Sequence, residues 1–390
     1  MNESETLHNL LDELGLEDRP ECASVDRSGH LRPQERHFLD WGRAKIKADA
    51  VVFQRVPVSG SCFPLVYIRR LQDTNPETIA QAHRLAWNMG RAPLLFLVMP
   101  GRILVHSAFE APKRQQDDRL DPQAGLIDTL DLTCRTEQER QKIAKYRREE
   151  LLSGRYWETE ESRKRFNPST RVEKNLLDNL KVIRSLLVSK IDSSLKAEQK
   201  AQIVHSLLGR AIFIQYLQDR KDTNGHSAFP EGYFSRFLSG ARTFADVLDV
   251  KKATYELFDT LAEKFNGDIF PATGPERDAV KSEHLSTLAQ FLLGKIHVRS
   301  RQRCFWPLYS FDAIPIEFIS NMYEEFFHSE KTEAQTEEAK SQGRAGSKAK
   351  DKDGTYYTPH RLVEFLLDEM LPWEGSATSL KVLDPACGSG

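Results

Sequence analysis

The chain has 390 residues, of which 29% are charged and 39% hydrophobic, and its formal net charge is −2 at pH 7. These values are ordinary for a globular protein of two or three domains, and a near-neutral total neither supports nor excludes nucleic-acid binding. No stretch approaches the roughly 20 apolar residues that a membrane span needs, and the acidic amino terminus lacks the apolar core of a secretion signal.

The cysteines and histidines show no metal-binding pattern. The five cysteines are scattered and include no Cys-x-x-Cys pair, which is typical of a reducing compartment and excludes a zinc cluster of the usual spacing. The histidines also lack ligand spacing. We therefore predict a cytoplasmic protein with no bound metal and no membrane partner.

The first 150 residues are predicted to form an α+β domain. Hydrophobic patterning predicts helices at 7–14, 34–41 and 76–89 and strands at 50–53, 65–68, 94–99 and 102–106. The last two strands form a hairpin about Pro100-Gly101. The order helix, strand, strand, helix, strand, strand resembles the core of restriction-nuclease-like domains, which often precede methyltransferases that also cleave DNA.

A nuclease of this kind needs an acid at the first of these strands and Glu-x-Lys on the next, to hold Mg²⁺ and activate water. Asp49 is in the first position, but the second reads Tyr67-Ile68-Arg69 and contains no carboxylate. One carboxylate holds a divalent ion poorly. We therefore interpret this domain as a degenerate nuclease fold that serves structure or DNA contact, with Asp49 capping a strand or pairing with Arg69.

Residues 151–331 are predicted to form an α-helical domain. Apolar residues recur every three to four positions from Val172 to Leu187, from Ile203 to Leu217 and again at 257–265, 285–293 and 316–327. Such stripes are typical of helices that bury one face against a shared core.

Two basic clusters of this region are candidates for DNA contact. The first, at 147–165, is mixed with glutamates, a pattern typical of a solvated helix face. The second contains Arg299, Arg301 and Arg303 without a single acid and is followed by two aromatic residues. Arginines beside aromatics suit contact with backbone phosphates, so we predict these three as DNA-binding residues. The alternative is a loop that forms ion pairs with neighbouring acids.

Residues 332–353 are predicted to be a flexible linker, because this polar, charged stretch contains almost nothing to bury. It precedes residues 354–390, which read as a turn, a helix from about Pro359, a loop, a buried strand at 380–383 and a glycine-rich loop. Gly388 and Gly390 would let the backbone pass close to a ligand. A strand that runs into such a loop is how doubly wound folds bind nucleotide-like cofactors.

The loop Asp384-Pro385-Ala386-Cys387-Gly388-Ser389-Gly390, with the turn Tyr357-Thr358-Pro359 a short distance upstream, resembles adenine-specific DNA methyltransferases of restriction-modification systems. The likeness is to the type IIG or modification-subunit kind and covers roughly residues 167–390. Stretches at 208–220, 265–270 and 309–324 also look like this group, in which a helical domain precedes an α/β Rossmann-like catalytic sheet. RNA guanine methyltransferases carry a similar loop, but the Tyr-Thr-Pro turn argues against them.

This resemblance implies S-adenosylmethionine as the cofactor and double-stranded DNA as the substrate. Tyr357, Thr358 and Pro359 would contact the methionine end, and Asp384 to Gly390 would surround the cofactor. Restriction or specificity subunits are possible partners, in restriction-modification or anti-phage defence. The base would be flipped out of the duplex to expose its amino group.

The catalytic tetrapeptide of the family, of the form Asn-Pro-Pro-Tyr, does not occur in these 390 residues. We therefore expect the chain to be the front part of a larger methyltransferase, with no catalytic residue of its own and no methyl transfer when isolated. Two alternatives stay open: a fused restriction nuclease–methyltransferase whose amino-terminal domain still cuts DNA, and a non-catalytic module that binds DNA or partner subunits.

Overall fold

The structure is a computed structural model. It describes residues 2–24, 31–55, 62–134, 136–167, 171–191, 194–222, 224–265, 270–295, 297–298, 302–303, 306–319, 362–363, 366 and 383. The described residues up to Val172 belong to one compact unit and those from Glu173 to 319 belong to a second. The sequence prediction put this boundary at 150–151.

The first unit contains three long helices, a six-stranded sheet and a set of short helices. In chain order these elements are α1 (Glu3–Glu13), β1 (Cys22–Ser24), α2 (Pro33–Ile46), β2 (Ala50–Arg55), β3 (Cys62–Arg70), α3 (Pro76–Met89), β4 (Leu94–Met99), β5 (Arg102–Ser107), β6 (Leu126–Asp131), α4 (Glu137–Ala144), α5 (Arg148–Ser153), α6 (Arg155–Glu158) and α7 (Glu160–Arg165). The structure thereby confirms a mixed α/β composition.

The six strands follow each other across the sheet in chain order. All neighbours are antiparallel except β3 and β4, which are parallel, and α3 forms the crossover between these two. Every strand predicted within the first 150 residues is present. The short β1 at one edge and β6 at the other were not predicted.

One face of the sheet buries a continuous hydrophobic core. Helix α1 contributes Leu10, Leu11 and Leu14, and the alternate residues of the central strands that face it are fully buried. Tyr146, Leu151 and Tyr156, from the segment of short helices, pack into the same core. Because side chains alternate along a strand, the intervening residues face the other side of the sheet.

Helices α2 and α3 cover that other side. Gly42 of α2 lies directly on the ring of Tyr67, since a Cβ at position 42 would be 2.7 Å from Tyr67 Cε1. Helix α2 ends at Ile46 and is followed by Lys47, which adopts a left-handed conformation (φ 55°). Helix α3 begins with the Asn75 side chain accepting from the backbone N–H of Glu77, followed by Pro76 in the first turn. The carboxyl end of β3 therefore lies next to the end of α2 and the start of α3.

Two histidines are buried together between α3 and β5. The rings of His83 and His106 have centroids 5.5 Å apart, and His83 Nε2 lies 3.0 Å from the carbonyl oxygen of Ser107. Burial, and to a smaller extent the neighbouring His106, lowers the pKa of His83 to about 4. Gly125 (φ 71°) allows this packing, since a Cβ there would be 2.5 Å from His83 Nε2 and 2.9 Å from the Ser107 carbonyl oxygen.

The second unit is helical in its described part. Its elements are α8 (Val172–Lys190), which starts at the boundary, α9 (Ala197–Asp219), α10 (Phe244–Val247), α11 (Lys251–Lys264), α12 (Gly274–Ala279), α13 (Ser282–Leu292) and the two-residue strands β7 (His297–Val298) and β8 (Gln302–Arg303). Short 3-10 turns occur at Phe234–Arg236 and Trp306–Leu308. The helices predicted at Val172–Leu187, Ile203–Leu217, 257–265 and 285–293 are confirmed, because their apolar stripes are buried.

A buried ion pair joins three of these helices. Arg210 of α9 donates to Glu276 Oε1 of α12, and Tyr255 of α11 donates to the same oxygen at 3.3 Å. The guanidinium also donates to the carbonyl oxygens of Phe270 and Pro271. Neither member of the pair is appreciably exposed, with side chains 0% and 3% accessible. This network fixes the three helices to one another.

The first helix of the second unit is also tied to residues far along the chain. Tyr309 donates its hydroxyl to Asn175 Oδ1 at 2.6 Å and accepts from Asn179 Nδ2 at 2.6 Å. Tyr309 is buried. Tyr309, which follows the hairpin of β7 and β8 in the chain, therefore packs against α8.

Candidate functional site

The position that sequence analysis compared with a nuclease centre lies where β2 begins and β3 ends. Asp49 directly precedes β2, and its backbone N–H donates to the carbonyl oxygen of Ile68 at 2.8 Å. Because Ala50 is paired with Ile68, continuing the register places Asp49 opposite Arg69. The side chain of Tyr67 points to the side of the sheet that α2 covers, where its ring packs against Gly42.

Arg70 forms an ion pair with the Asp49 carboxylate. Its Nε and Nη2 both donate to Asp49 Oδ1, at 2.8 and 2.6 Å, and its backbone N–H donates to Oδ2 at 2.6 Å. Arg70 Nη1 also donates to Ser4 Oγ at 2.9 Å. The expectation that Asp49 caps a strand is met through the backbone N–H. The alternative pairing with Arg69 is wrong, because Arg70 lies at the strand end, where it reaches both carboxylate oxygens.

The place of the second acid is filled by a buried tyrosine. Tyr67 is fully buried, and its hydroxyl has no hydrogen-bond partner among the described residues. Burial raises the pKa of Tyr67, so this oxygen stays protonated and offers no charge to a cation. In the described part of the chain, no group of three or more His, Cys, Asp or Glu side chains is arranged to hold a metal ion. The described residues at this position therefore do not provide the oxygen ligands that a Mg²⁺-dependent nuclease needs.

Arg69 lines two cavities instead. The larger, about 650 Å³, is also lined by Lys47, Asp49, Arg70 and Asp73. The smaller, about 250 Å³, lies over the first turn of α3. Arg69 forms no hydrogen bond or ion pair with a described residue, although Asp49 and Asp73 attract it at longer range. Partial burial lowers its pKa, but a guanidinium remains charged at neutral pH.

The mixed cluster at 147–165 behaves as its pattern predicted. Four of its cations form ion pairs with acids: Arg148 with Glu21, Arg155 with Glu150, Lys164 with Glu160 and Arg165 with Glu161. Such exposed pairs contribute little to stability and leave these cations occupied.

The predicted DNA contact at 299–303 is described only in part. The backbone of Arg303 belongs to β8, which pairs with β7 in an antiparallel hairpin. Arg299, Arg301 and the side chain of Arg303 lie outside the described residues. Their role in DNA contact stays a prediction.

The predicted cofactor segments also lie outside the described residues. This applies to Tyr357, Thr358 and Pro359 and to the loop from Asp384 through Pro385, Ala386, Cys387 and Gly388 to Gly390.

Four residues of the carboxyl-terminal stretch are described. Leu362, Val363 and Leu366 are helical, in agreement with the predicted helix, and their side chains are 37–48% exposed. Leu383 was expected to end a buried strand, but it is 86% exposed and lies outside helices and strands. A strand becomes buried only when neighbouring strands pair with it, and no described residue pairs with Leu383.

Comparison of the sequence with models of known protein families found no match, and comparisons with curated proteins and with solved structures found none either. Among the described helices, none is both long and apolar enough to cross a membrane.

Sequence reasoning missed two features of this region that the structure brings together. One is Arg70, whose guanidinium binds the Asp49 carboxylate where a nuclease would bind a metal ion. The other is the end of α2, where Arg43 in the last turn and Lys47 directly after the helix are both exposed. A signal for the exposure of Arg43 was available, because the buried residues of α2, among them Phe38, Leu39 and Ile46, form a stripe that does not include position 43.

Proposed function

We propose that the chain carries the cofactor-binding segment of an adenine-specific DNA methyltransferase. The enzyme transfers the methyl group of S-adenosylmethionine to the exocyclic amino group of adenine in duplex DNA, in restriction-modification or anti-phage defence. One observation carries the proposal: the loop Asp384–Gly390 follows the turn Tyr357-Thr358-Pro359 at short distance. The helical second unit, which precedes this segment as in the family, supports it.

The residues of the loop fit this cofactor by their chemistry. S-adenosylmethionine bears an ammonium group and ribose hydroxyls, and the Asp384 carboxylate can accept hydrogen bonds from these donors. Backbone N–H groups of a glycine-containing loop can donate to the cofactor's carboxylate, because Gly388 and Gly390 have no side chain in the way. The cofactor itself supplies the electrophilic methyl group. The role of these residues is to orient it, which contributes through proximity.

Replacing Asp384 by Ala is expected to reduce the affinity of the 390-residue chain for S-adenosylmethionine by roughly 10- to 100-fold, because a charged acceptor is lost. Equilibrium dialysis with labelled cofactor measures this directly. Asp368→Ala, an acid of the same stretch outside the loop and the turn, is the matched control and should bind as the original chain does. Absence of cofactor binding by the original chain would contradict the proposal.

Methyl transfer to adenine is tested separately, on the complete product of the gene. Labelled methyl groups should appear in the adenine of duplex DNA, and in no other base. Transfer to cytosine or to RNA would refute the assignment of the substrate.

The second candidate is a nuclease, which the strand order of the first unit and the position of Asp49 favour. The bidentate contact with Arg70 and the buried Tyr67 argue against it. We expect the chain to leave supercoiled DNA intact in the presence of Mg²⁺ or Mn²⁺, and Asp49→Ala to change nothing in this assay. Metal-dependent nicking that disappears in Asp49→Ala would instead establish cleavage by this unit.

A further inference from the structure

We infer that Asn224, in an exposed turn that follows α9, undergoes spontaneous deamidation at a rate set by the carboxylate of Asp222. The co-reactant is water, and the products are aspartate and isoaspartate at position 224. The sequence contains two Asn-Gly dipeptides, Asn224-Gly225 and Asn266-Gly267, and the second lies outside the described residues. The chemistry of this turn is independent of the proposed function, because it involves neither DNA nor the cofactor.

Deamidation joins a side-chain amide to the next backbone nitrogen. The nitrogen of Gly225 attacks Cγ of Asn224 and loses its proton, and the side-chain nitrogen of Asn224 leaves as ammonia. The result is a five-membered succinimide ring. Water then adds to one of the two ring carbonyl carbons and opens the ring, which leaves aspartate or isoaspartate. Glycine favours ring closure because it has no side chain near the attacking nitrogen.

The turn leaves both reacting groups open to water. Asn224 and Gly225 are exposed, and a Cβ at position 225 would have no atom within 4 Å outside its chain neighbours. The side-chain amide of Asn224 forms no hydrogen bond with a described residue. Asn175 and Asn179 of α8 differ, because leucine follows each of them and their side chains form hydrogen bonds with Tyr309. Within the described part of the chain, Asn224 alone precedes a glycine.

Asp222 holds the turn closed. Its Oδ1 accepts from the backbone N–H of Asn224 at 2.9 Å and from that of His226 at 2.8 Å. The hydrogen bond from His226, together with a weaker effect from Asn224, lowers the pKa of the Asp222 carboxyl, so this group is ionised at neutral pH. Hydrogen bonds from nearby backbone N–H groups to an aspartate side chain are a common way of stabilising turns.

The closed turn protects Asn224 from its own neighbour. The backbone N–H of Gly225 donates to the carbonyl oxygen of Asp222 at 3.0 Å, and the N–H of Asp222 donates to the carbonyl oxygen of His226 at 2.9 Å. The attacking nitrogen is thus engaged while these bonds last, and the reaction proceeds from the small fraction of chains in which the turn is open. Because the Asp222 carboxylate stabilises the closed turn, it lowers that fraction and slows the reaction.

The products weaken the end of α9. Ser227 pairs with Lys221 across the turn, and its hydroxyl donates to the carbonyl oxygens of Leu217 and Gln218 at 3.2 and 3.0 Å. These contacts satisfy carbonyl groups that a helix end leaves without an intrahelical partner. Isoaspartate adds one methylene to the backbone between Lys221 and Ser227, and either product adds a negative charge beside Asp222. Both changes displace Ser227 from the helix end.

The test follows position 224 in the full 390-residue chain. The chain is incubated at neutral pH, either folded or unfolded in urea, and samples taken over time are digested with trypsin. Mass spectrometry quantifies deamidation in the peptide of residues 222–236, and chromatography separates its aspartate and isoaspartate forms. Asp222→Ala is compared with Asp121→Ala, the matched control, since Asp121 accepts from the backbone N–H of Gln123 at 2.9 Å in the first unit. Circular dichroism verifies that each variant is folded.

The folded original chain should accumulate both products at position 224, more slowly than the unfolded chain. Asp222→Ala should accelerate the reaction of the folded chain by roughly 5- to 30-fold, because losing hydrogen bonds to a charged group shifts the turn towards its open form by a factor of this size. In urea Asp222→Ala should react at the original rate, since no closed turn remains there. Asp121→Ala should keep the original rate in both conditions. Asn224→Gln should abolish the signal, because glutamine would have to close a six-membered ring.

Two outcomes would overturn the inference. One is an unreacted Asn224 in the folded chain after a time in which the unfolded chain reacts completely. The other is an equal rate for the folded original chain and Asp222→Ala, or an equal acceleration by Asp121→Ala, because the carboxylate of Asp222 would then not control the turn. Hydrogen–deuterium exchange in the last turn of α9 should be faster in the deamidated chain, and unchanged exchange would refute the effect on the helix end.

Discussion

Replacing Glu276 by Gln is expected to destabilise the second unit by about 3–5 kcal/mol, the usual cost of leaving a buried charge without its partner. Arg210 is fully buried and cannot turn to solvent. Its two contacts with the carbonyl oxygens of Phe270 and Pro271 would remain but do not neutralise it. Tyr255 would also lose a charged acceptor for its hydroxyl.

The measurement is hydrogen–deuterium exchange of the amides of α9 and α11, together with urea unfolding followed by circular dichroism. Asp259→Asn is the matched control, because it removes the partner of Arg277, a neighbour of Glu276 in sequence, from an ion pair that is half-exposed. We expect less than about 1 kcal/mol from the control. A Glu276→Gln protein as stable as Asp259→Asn would show that Arg210 finds another counter-charge.

The double variant Arg210→Met/Glu276→Leu distinguishes two contributions to stability. One is the attraction between the two side chains, and the other is the cost of leaving Arg210 charged and unpaired. Replacing both members by apolar residues of similar size is often neutral or stabilising. We therefore expect the double variant to recover most of the stability that Glu276→Gln loses. A double variant less stable than Glu276→Gln would show that the pair contributes net attraction.

The stability of the first unit is expected to fall as the pH is lowered from about 6.5 to 4. The pKa of His83 is about 4 in the folded chain, against an ordinary value of 6.5, so the unfolded chain binds the additional proton in this window. The contribution of neutral His83 is fully present above pH 6.5 and is lost as the pH falls towards 4. A difference of 2.5 pKa units corresponds to about 3 kcal/mol.

Groups near His83 support this direction. His106 faces His83 from β5, and burial lowers the pKa of His106 as well. Both histidines therefore reduce the free energy of unfolding as the pH falls. Glu110 attracts a proton to His83 at longer range, but it is occupied by Lys113 at 2.9 Å. Burial is the largest cause and decides the sign.

Urea unfolding monitored by tryptophan fluorescence checks the prediction, since Trp41, Trp87 and Trp157 all belong to the first unit. His83→Gln should flatten the dependence on pH between 6.5 and 4, because glutamine does not titrate but can still donate to the Ser107 carbonyl. His8→Gln replaces an exposed histidine of α1 and should leave the dependence unchanged. The same slope in His83→Gln and the original chain would rule out His83 as its source.

The elements predicted best from sequence are those whose ends are marked by capping residues, proline or glycine close by in the chain. Helix α3 was predicted at its observed bounds, because Asn75 caps it, Pro76 occupies its first turn and Gly90 ends it in a left-handed conformation (φ 60°). Strand β1 has only three residues, too few to show alternation. Strand β6 lies at an edge, and its apolar residues Leu126, Ile127 and Leu130 do not alternate with the polar ones, so its sequence shows no strand pattern.

The candidate site shows the limit of sequence reasoning more clearly. The absence of a second acid beside Asp49 was readable from Tyr67-Ile68-Arg69. Which of two adjacent arginines reaches Asp49 was not, because it depends on how the strand end exposes the backbone N–H of Arg70. The Arg210–Glu276 pair was also unreadable, since its members are 66 positions apart and no local pattern links them.

The bonds between Tyr309 and α8 have a consequence for the order of events during synthesis. Asn179 leaves the ribosome 130 residues before Tyr309, which is roughly 6–26 s earlier at ordinary rates of translation. Through that interval the nascent α8 lacks its two hydrogen bonds to Tyr309, while every strand of the sheet in the first unit has already been synthesised. Chaperones that shield apolar surface would therefore meet the nascent second unit, with Leu176, Leu180 and Ile183 awaiting burial, rather than the sheet.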